Sequence, residues 1–322
     1  MNLHQAEESL VGISLREQSI RMSEAVGHSG KFKIKKVAAG TSRIPFSFDA
    51  IKDRLNIQTF AQDLNKVYET AGFETNQASL AVDSDLVIIK KIPVDATLDG
   101  DELKEQIRWE VSQFMINPLD HFVIAHEVLP EDGQESSEKI VVVVVIRKAV
   151  VDFLKEIFAS TDLHLRAIDV DVFAAQRLLE KAYRVPQDHK IALVDLRKRN
   201  LQLSVLYHNF YLVQEVEFPE EEALPDEIDR DEHISRVVSK ELRRIILDNK
   251  LGKSVEDMNE VFLYGDGVND RMIDILSKSH NVSFRRINPF ETIPLTESPS
   301  ESEIKEHPES FVTAVGAAIK GF

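Results

Sequence analysis

Asp195-Leu196-Arg197-Lys198-Arg199-Asn200-Leu201-Gln202-Leu203 has a counterpart near the start of the chain, Ser14-Leu15-Arg16-Glu17-Gln18-Ser19-Ile20-Arg21-Met22. The two share Leu-Arg in register and continue, after a polar turn, with the same apolar-polar-apolar alternation. Around the first, Leu10 to Leu15 is an apolar run and Ser19 to Val26 alternates up to the turn Gly27-His28-Ser29-Gly30. Lys31 to Lys36 then sets Phe32 and Ile34 on one face and lysines on the other, so the opening predicts a three-stranded meander. Ile191 to Leu196, Leu201 to Tyr207 and Tyr211 to Phe218 predict the same meander again. A repeated strand order within one chain points to internal duplication, and so to an α/β protein of two related lobes.

Between the meanders, Phe60, Leu64, Val67, Tyr68 and Ala71 fall at helical spacing and stop at Gly72. Residues 78–146 predict an inserted β-β-α-β-β module. Its strands are Ala78 to Val82, Leu86 to Ile92, Phe122 to Val128 and Lys139 to Ile146. Its helix runs from Asp101 to Phe114, with Leu103, Ile107, Val111 and Phe114 on one face, and an acidic loop spans Pro130 to Glu138. Val150 to Phe158, the strand Leu165 to Ile168 and a helix from Val172 to Tyr183 return to the first lobe, which therefore comprises 1–77 and 147–188. The second lobe is 189–322, with 219–258 as a helical subdomain entered through the acidic stretch Glu220 to Glu232. It continues with the strand Val261 to Tyr264, the turn Gly265-Asp266-Gly267 and a helix beginning at Met272. The strand Val282 to Phe284, a mobile polar segment from Pro294 to Pro308 and a closing helix from Phe311 to Ile319 complete it.

The chain has 322 residues, long enough for two ordinary cores, and its 43% apolar and 29% charged composition is that of a folded protein. Its 39 Lys and Arg against 55 Asp and Glu give a formal charge of -16, which disfavours nucleic acid and anionic lipid as general ligands. There is no Cys, which excludes a thiolate nucleophile and a Cys-ligated zinc and fits a reducing compartment. The longest uncharged apolar run, Ile140 to Ile146, is far short of the roughly 20 residues of a spanning helix, and the N-terminus lacks the apolar core of a signal peptide. The expectation is a cytoplasmic protein with no direct membrane insertion.

Leu103-Lys104-Glu105-Gln106-Ile107-Arg108-Trp109-Glu110-Val111-Ser112-Gln113-Phe114, followed by Pro118-Leu119-Asp120, resembles the inserted module of the type IV pilus assembly protein PilM family, within the actin-like superfamily. Arg147-Lys148, Ala167-Ile168-Asp169-Val170-Asp171-Val172-Phe173-Ala174, Asn288-Pro289-Phe290 and Ala314-Val315-Gly316-Ala317-Ala318 are similar to it as well, so the likeness spans most of residues 10–322. It implies an actin-like, ribonuclease H-like duplicated fold. Actin-like ATPases grip phosphate with two hairpin turns in which an Asp precedes a Gly, so that bare backbone N–H groups approach the anion. Here Ser14 stands where the resemblance expects Asp and Arg16 where it expects Gly. Asp195 is kept, but Arg197 takes the glycine position and is followed by Lys198 and Arg199. Gly265-Asp266-Gly267 only partly resembles the adenosine loop. The expectation is a pseudo-ATPase with a degenerate nucleotide site and neither ATP nor Mg as cofactor. In it Arg16 and Arg197 face one another across the cleft and reach Asp195 or Asp266, either as an ion-pair clasp or as a basic pocket for an anion.

Other candidates read more plainly. Asp171 is placed to cap the helix that follows it, and Asp169 with it forms no catalytic pair. His121 and His126 point to opposite faces of a strand, and Gly12-x-Ser14 lacks the second glycine of a nucleophile elbow. Trp109, Glu110, Gln113 and Phe114 read from spacing as a solvated helix face with a half-buried indole. From the resemblance they are candidates for a groove, between module and first lobe, that captures the cytoplasmic tail of a PilN-like bitopic inner-membrane protein. The function so implied is a non-enzymatic scaffold of a type IV pilus-like or secretion machine, touching further components of that machine. Two alternatives stay open. One is an active actin-like ATPase or ATP-dependent switch with diverged phosphate loops, and the other the cytoplasmic component of a type II secretion platform.

Overall fold

Apolar alternation in the first residues builds two strands, β1 (Glu8–His28) and β2 (Lys31–Phe46), followed by α1 (Phe48–Lys52), α2 (Asn56–Ala71) and β3 (Gln77–Val82). A module of β4 (Val87–Asp95), α3 (Gly100–Phe114), β5 (Phe122–Val128) and β6 (Glu138–Arg147) comes next. The chain returns through α4 (Lys148–Ala159), β7 (His164–Val170) and α5 (Asp171–Leu178). The second lobe contains β8 (Ile191–Leu196), β9 (Asn200–Tyr207), β10 (Asn209–Glu217), α6 (Arg230–Asp248), β11 (Glu260–Tyr264), α7 (Asp270–Ser279) and β12 (Ser283–Arg286). The short helices α8 (Pro289–Thr292), α9 (Ser302–Glu306) and α10 (Val312–Ala318) follow. This computed structural model describes residues 8–28, 30–130, 137–197, 200–218, 229–297 and 302–322. Residues 1–7, Ser29 of the expected turn, 131–136 of the expected acidic loop, Lys198 and Arg199, 219–228 of the acidic stretch and 298–301 lie outside the described residues.

The two sheets repeat one another. Their orders are β2-β1-β3-β7 and β10-β9-β8-β11-β12. β1 takes the places of β8 and β9 together: Val11 to Ser14 run parallel to β3 as β8 runs parallel to β11, and from Ser19 onward β1 is antiparallel to β2 as β9 is to β10. β1 doubles back at the left-handed residue Glu17, at φ 44°: Ser9 Oγ donates to Glu24 Oε1 at 3.2 Å, so its two arms are the two strands and the turn that the sequence predicts. Every residue of β8 is buried, as expected for a central strand with both faces covered.

In the first lobe α2 and α4 pack Phe60, Leu64, Phe153, Leu154 and Ile157 against Ile13 and Ile20. α10, although last in the chain, covers the opposite face. A Cβ on Gly12 would overlap the backbone of Ala314 and Ala318, and one on Gly316 would overlap the backbone of Ala174 in α5. A shared core of Ala25, Ile34, Ala175, Leu193, Phe262, Val312 and Val315 joins the lobes. In the second lobe α6 shares the core of β8 and β9 through Val238, Leu242 and Ile245 with Val194 and Leu203. It is a layer of that lobe, and residues 219–228 of the helical subdomain expected for 219–258 lie outside the described residues.

Two expectations are corrected here. Ala78 to Val82 is no part of the inserted module: β3 lies between β1 and β7, its apolar residues buried as a central parallel strand requires, so the module is β-α-β-β with sheet order β4-β6-β5. The segment expected to be mobile from Pro294 to Pro308 is paired at its start, over residues 294–297, while 298–301 lie outside the described residues. Ile34 N–H donates to the Pro294 carbonyl at 3.0 Å and Thr296 N–H to the Ile34 carbonyl at 2.9 Å, which covers the outer edge of β2, and Ile304 beyond it is buried. Finally, α3 buries Leu103, Ile107 and Val111 on one face of the module sheet, while Val142 and Ile146 on the other face join the first-lobe core.

Candidate functional site

In sheets of this kind ligands gather outside the carboxyl ends of the parallel strands. Five charged side chains meet there. Arg16 comes from β1, Asp83 from just beyond β3, and Asp171 from the start of α5 after β7. Asp195 lies in β8 and Arg197 just after it. Arg197 donates from Nη1 to both oxygens of Asp83 at 2.8 and 3.0 Å, from Nη2 to Asp171 Oδ2 at 2.8 Å and from Nε to Asp195 Oδ2 at 3.2 Å. Arg16 Nη1 lies 2.6 Å from Asp195 Oδ2, and its Nη2 donates to the Thr313 hydroxyl and lies 4.0 Å from Asp171 Oδ2. Asp171 and Asp195 have no exposed surface, and Arg197 is 8% exposed. Ser14, at the first turn, is buried beside the cluster and makes no charged contact.

Three carboxylates thus share two guanidinium groups. Burial alone would lower the basicity of both arginines, but Asp195, and for Arg197 also Asp83 and Asp171, overcome it and hold them above their ordinary range. The excess negative charge falls on Asp171, whose carboxyl is pushed up to about 7 by burial and then by Asp83, against the pull of Arg197 and Arg16. At the rim Asp85 is lifted to about 7 by burial, Asp83 and Glu215. Taking away one partner of such a buried pair costs about 3–5 kcal/mol, whereas the intact pair adds little over an apolar substitute. The cluster therefore fixes the lobes in one arrangement more than it stabilises them.

The sequence reading is modified at two points. Asp171 is not a cap: Val170 holds that position, and Asp171 is the first helical residue, its Oδ1 accepting from Val172 N–H at 2.6 Å while Oδ2 faces the arginines. Asp169 is separate, held by Arg177 at 2.7 Å and Lys320 at 3.1 Å. Arg16 and Arg197 both reach Asp195, but neither reaches Asp266, which is met by Arg21 at 3.4 Å. The Gly265-Asp266-Gly267 turn packs directly on the Asp195–Arg197 turn. Gly265 has φ 97°, a Cβ there would overlap Asp195 Oδ1, and Gly267 N–H donates to the Leu196 carbonyl at 2.9 Å.

The actin-like expectation of Mg and a triphosphate can be tested against these atoms. Both oxygens of Asp83 and the Oδ2 atoms of Asp171 and Asp195 are taken by guanidinium groups, Asp171 Oδ1 by its own helix, and Asp195 Oδ1 is buried without a partner. As arranged, the residues do not fit a metal-bound phosphate. Among the described residues no group of three or more His, Asp and Glu side chains is disposed to hold a metal ion.

The α3 candidates are not brought to a groove with the first lobe, because the module sheet stands between. Trp109 is 57% exposed on the outer side, and Gln113 is exposed and donates to the Trp109 carbonyl at 3.4 Å. Glu110 accepts from Gln106 at 3.2 Å, and Phe114 lies under Lys90 Nζ, 4.1 Å from the ring centre. The lobe-facing side of the sheet carries instead Val123, opposite the buried Ile146, and Ile140, toward the other end of β6 beyond the buried Val142, each 39% exposed. Sequence reasoning missed these two because β5 and β6 show the same alternation on both faces. It missed Asp83 as well, although an Asp directly after the apolar run Leu80-Ala81-Val82 is the signal that would have found it.

The family described as type IV pilus assembly protein PilM matches residues 12–218, well over half of the chain. The chain belongs to the PilM family. A solved PilM-PilN type IV pilus biogenesis complex is similar at 19% identity and a TM-score of 0.78, over 97% of this chain and 98% of that one, which supports the fold. A Bacteroides thetaiotaomicron protein with an actin-like ATPase fold matches at 11% identity and TM-score 0.48, over 90% of this chain and 94% of that one. The cytoplasmic domain of EpsL, an inner membrane component of the Vibrio cholerae type II secretion system, matches at 10% identity and TM-score 0.44, over 81% and 84%. Those two scores are too low to compare detailed arrangement. The two-lobed α/β fold is thus that of the PilM in the PilM-PilN complex, and none of the described helices is long and apolar enough to cross a membrane.

Proposed function

We propose that this PilM-family protein is a non-enzymatic scaffold of a type IV pilus-like machine, held at the cytoplasmic face of the inner membrane by the short tail of a PilN-like bitopic protein. The carrying observation is that Arg16 and Arg197 occupy the carboxylates that a metal-bound triphosphate would need in both halves. A triphosphate site works through positioned cation and bare donors, and here the protein supplies its own cations to its own carboxylates. The tail would enter at the seam of module and first lobe and run along the lobe-facing side of the module sheet, where Val123 in the edge strand β5 and Ile140 toward the other end of β6 offer apolar anchors.

Titration calorimetry with Mg-ATP should give no saturable heat. Micromolar binding would support the rival reading, an ATP-dependent switch with diverged loops. Separately, immobilised tail peptide of the neighbouring bitopic protein should retain the chain, and Val123→Asp or Ile140→Asp should weaken retention at least about tenfold, since each removes an apolar anchor and buries a charge. Retention indifferent to both substitutions would remove the seam as the binding place.

A further inference from the structure

The first-lobe sheet has two outer edges, and they are treated differently. The edge of β2 is taken by the backbone of residues 294–296. Beyond β7 no further strand of the described residues follows. There α4 and β7 enclose an open groove of about 500 Å³, floored by Phe158, Leu163, Leu165 and Ile168. Its rim carries Lys155, His164 and Arg166, all exposed. None of the three has a carboxylate partner among the described residues, in a chain of formal charge -16.

The duplication supplies an internal control. β12 is the second lobe's edge strand in the same topological place, parallel to β11 as β7 is to β3. Its arginines are neutralised from within: Arg285 by Glu260 at 3.6 Å, Arg286 by Asp270 at 2.5 Å and Glu309 at 3.7 Å. Of these two corresponding edges, the β7 edge keeps its positive charge unspent among the described residues. The β3–β7 register also slips between Leu165 and Ala167, which leaves Arg166 outside the ladder.

We propose that the β7 edge and the adjoining half of α4 form a docking groove for an extended acidic segment of another protein. The segment would add as a strand beside β7, with alternate apolar side chains on Phe158, Leu165 and Ile168 and carboxylates against Lys155, His164 and Arg166. The strand edge offers directional N–H and C=O groups and the floor offers apolar anchors, which together select a peptide over a polyphosphate or a lipid headgroup. This site lies at the far end of α4 from the module, about 18 Å along that 12-residue helix, and does not rest on the PilN-like reading.

The probe is a labelled synthetic peptide alternating Val and Glu, titrated into the full chain and followed by fluorescence anisotropy. Two control peptides are used, one with Lys in place of Glu and one with N-methylated backbone amides. The Glu peptide should bind, neither control should, and Arg166→Glu and Lys155→Glu should each weaken binding about tenfold, the effect of reversing a rim charge at an interface of complementary sign. No binding of the Glu peptide, equal binding of the Lys peptide, or affinity unchanged in both variants would overturn the proposal. A further overturning result is self-association of the wild-type chain that Arg166→Glu abolishes, for then the occupant is a second copy. So is aggregation of Arg166→Glu without any peptide binding to the wild type, for then Arg166 merely guards a strand edge.

Discussion

Asp171 is the residue on which the charge balance between the lobes turns. Its carboxyl is raised from 3.8 to about 7, so between those values the folded protein holds a proton that the unfolded chain has released. The stability contributed by this group is complete below 3.8 and is lost as pH rises to about 7, the reverse of an ordinary salt-bridged aspartate. Urea unfolding of the wild type at pH 5.5 and pH 8 should show part of its pH dependence arising here, and Asp171→Asn should flatten that part. An unchanged difference between the two pH values in the variant would mean that the proton lies elsewhere. Arg16, Asp195 and Arg197 were legible in the sequence because the duplication puts both turns in register. Asp83 was not, because its partner Arg197 lies 114 positions away in the other lobe, and no local pattern joins them.

Strands and long helices were legible from apolar spacing alone, and the failures have local causes. β3 was assigned to the module because a buried parallel strand shows no alternation that would tie it to one sheet. α1, with five residues, is too short for a periodic signal, and only its Ser47 cap, accepting from Ala50 N–H, marks it. The amphipathic pattern of α3 correctly gave its buried face but not the direction in which the whole module is turned. α10 shows what small residues do at a helix contact. With Gly316 on the backbone of Ala174, Gly316→Val should destabilise the protein by about 3 kcal/mol through overpacking, read as a lowered thermal midpoint. A midpoint unchanged within error would mean that α10 can lift away without loss.

At the scale of the molecule, two lobes are tied by a shared core, by the charged cluster, and by chain that crosses back from one to the other. The crossing segments are residues 294–296 on β2 and α10 on β1 and α5. Duplication explains why the lobes look alike, and these crossings explain why they are not independent. Because α10 packs on β1 and α5 of the first lobe yet is reached only at residue 312, that lobe cannot be finished before residue 312 has been made. The usual order, in which the N-terminal unit folds first and waits for the rest, is closed to this protein. Its early half must remain partly open until that late helix has left the ribosome.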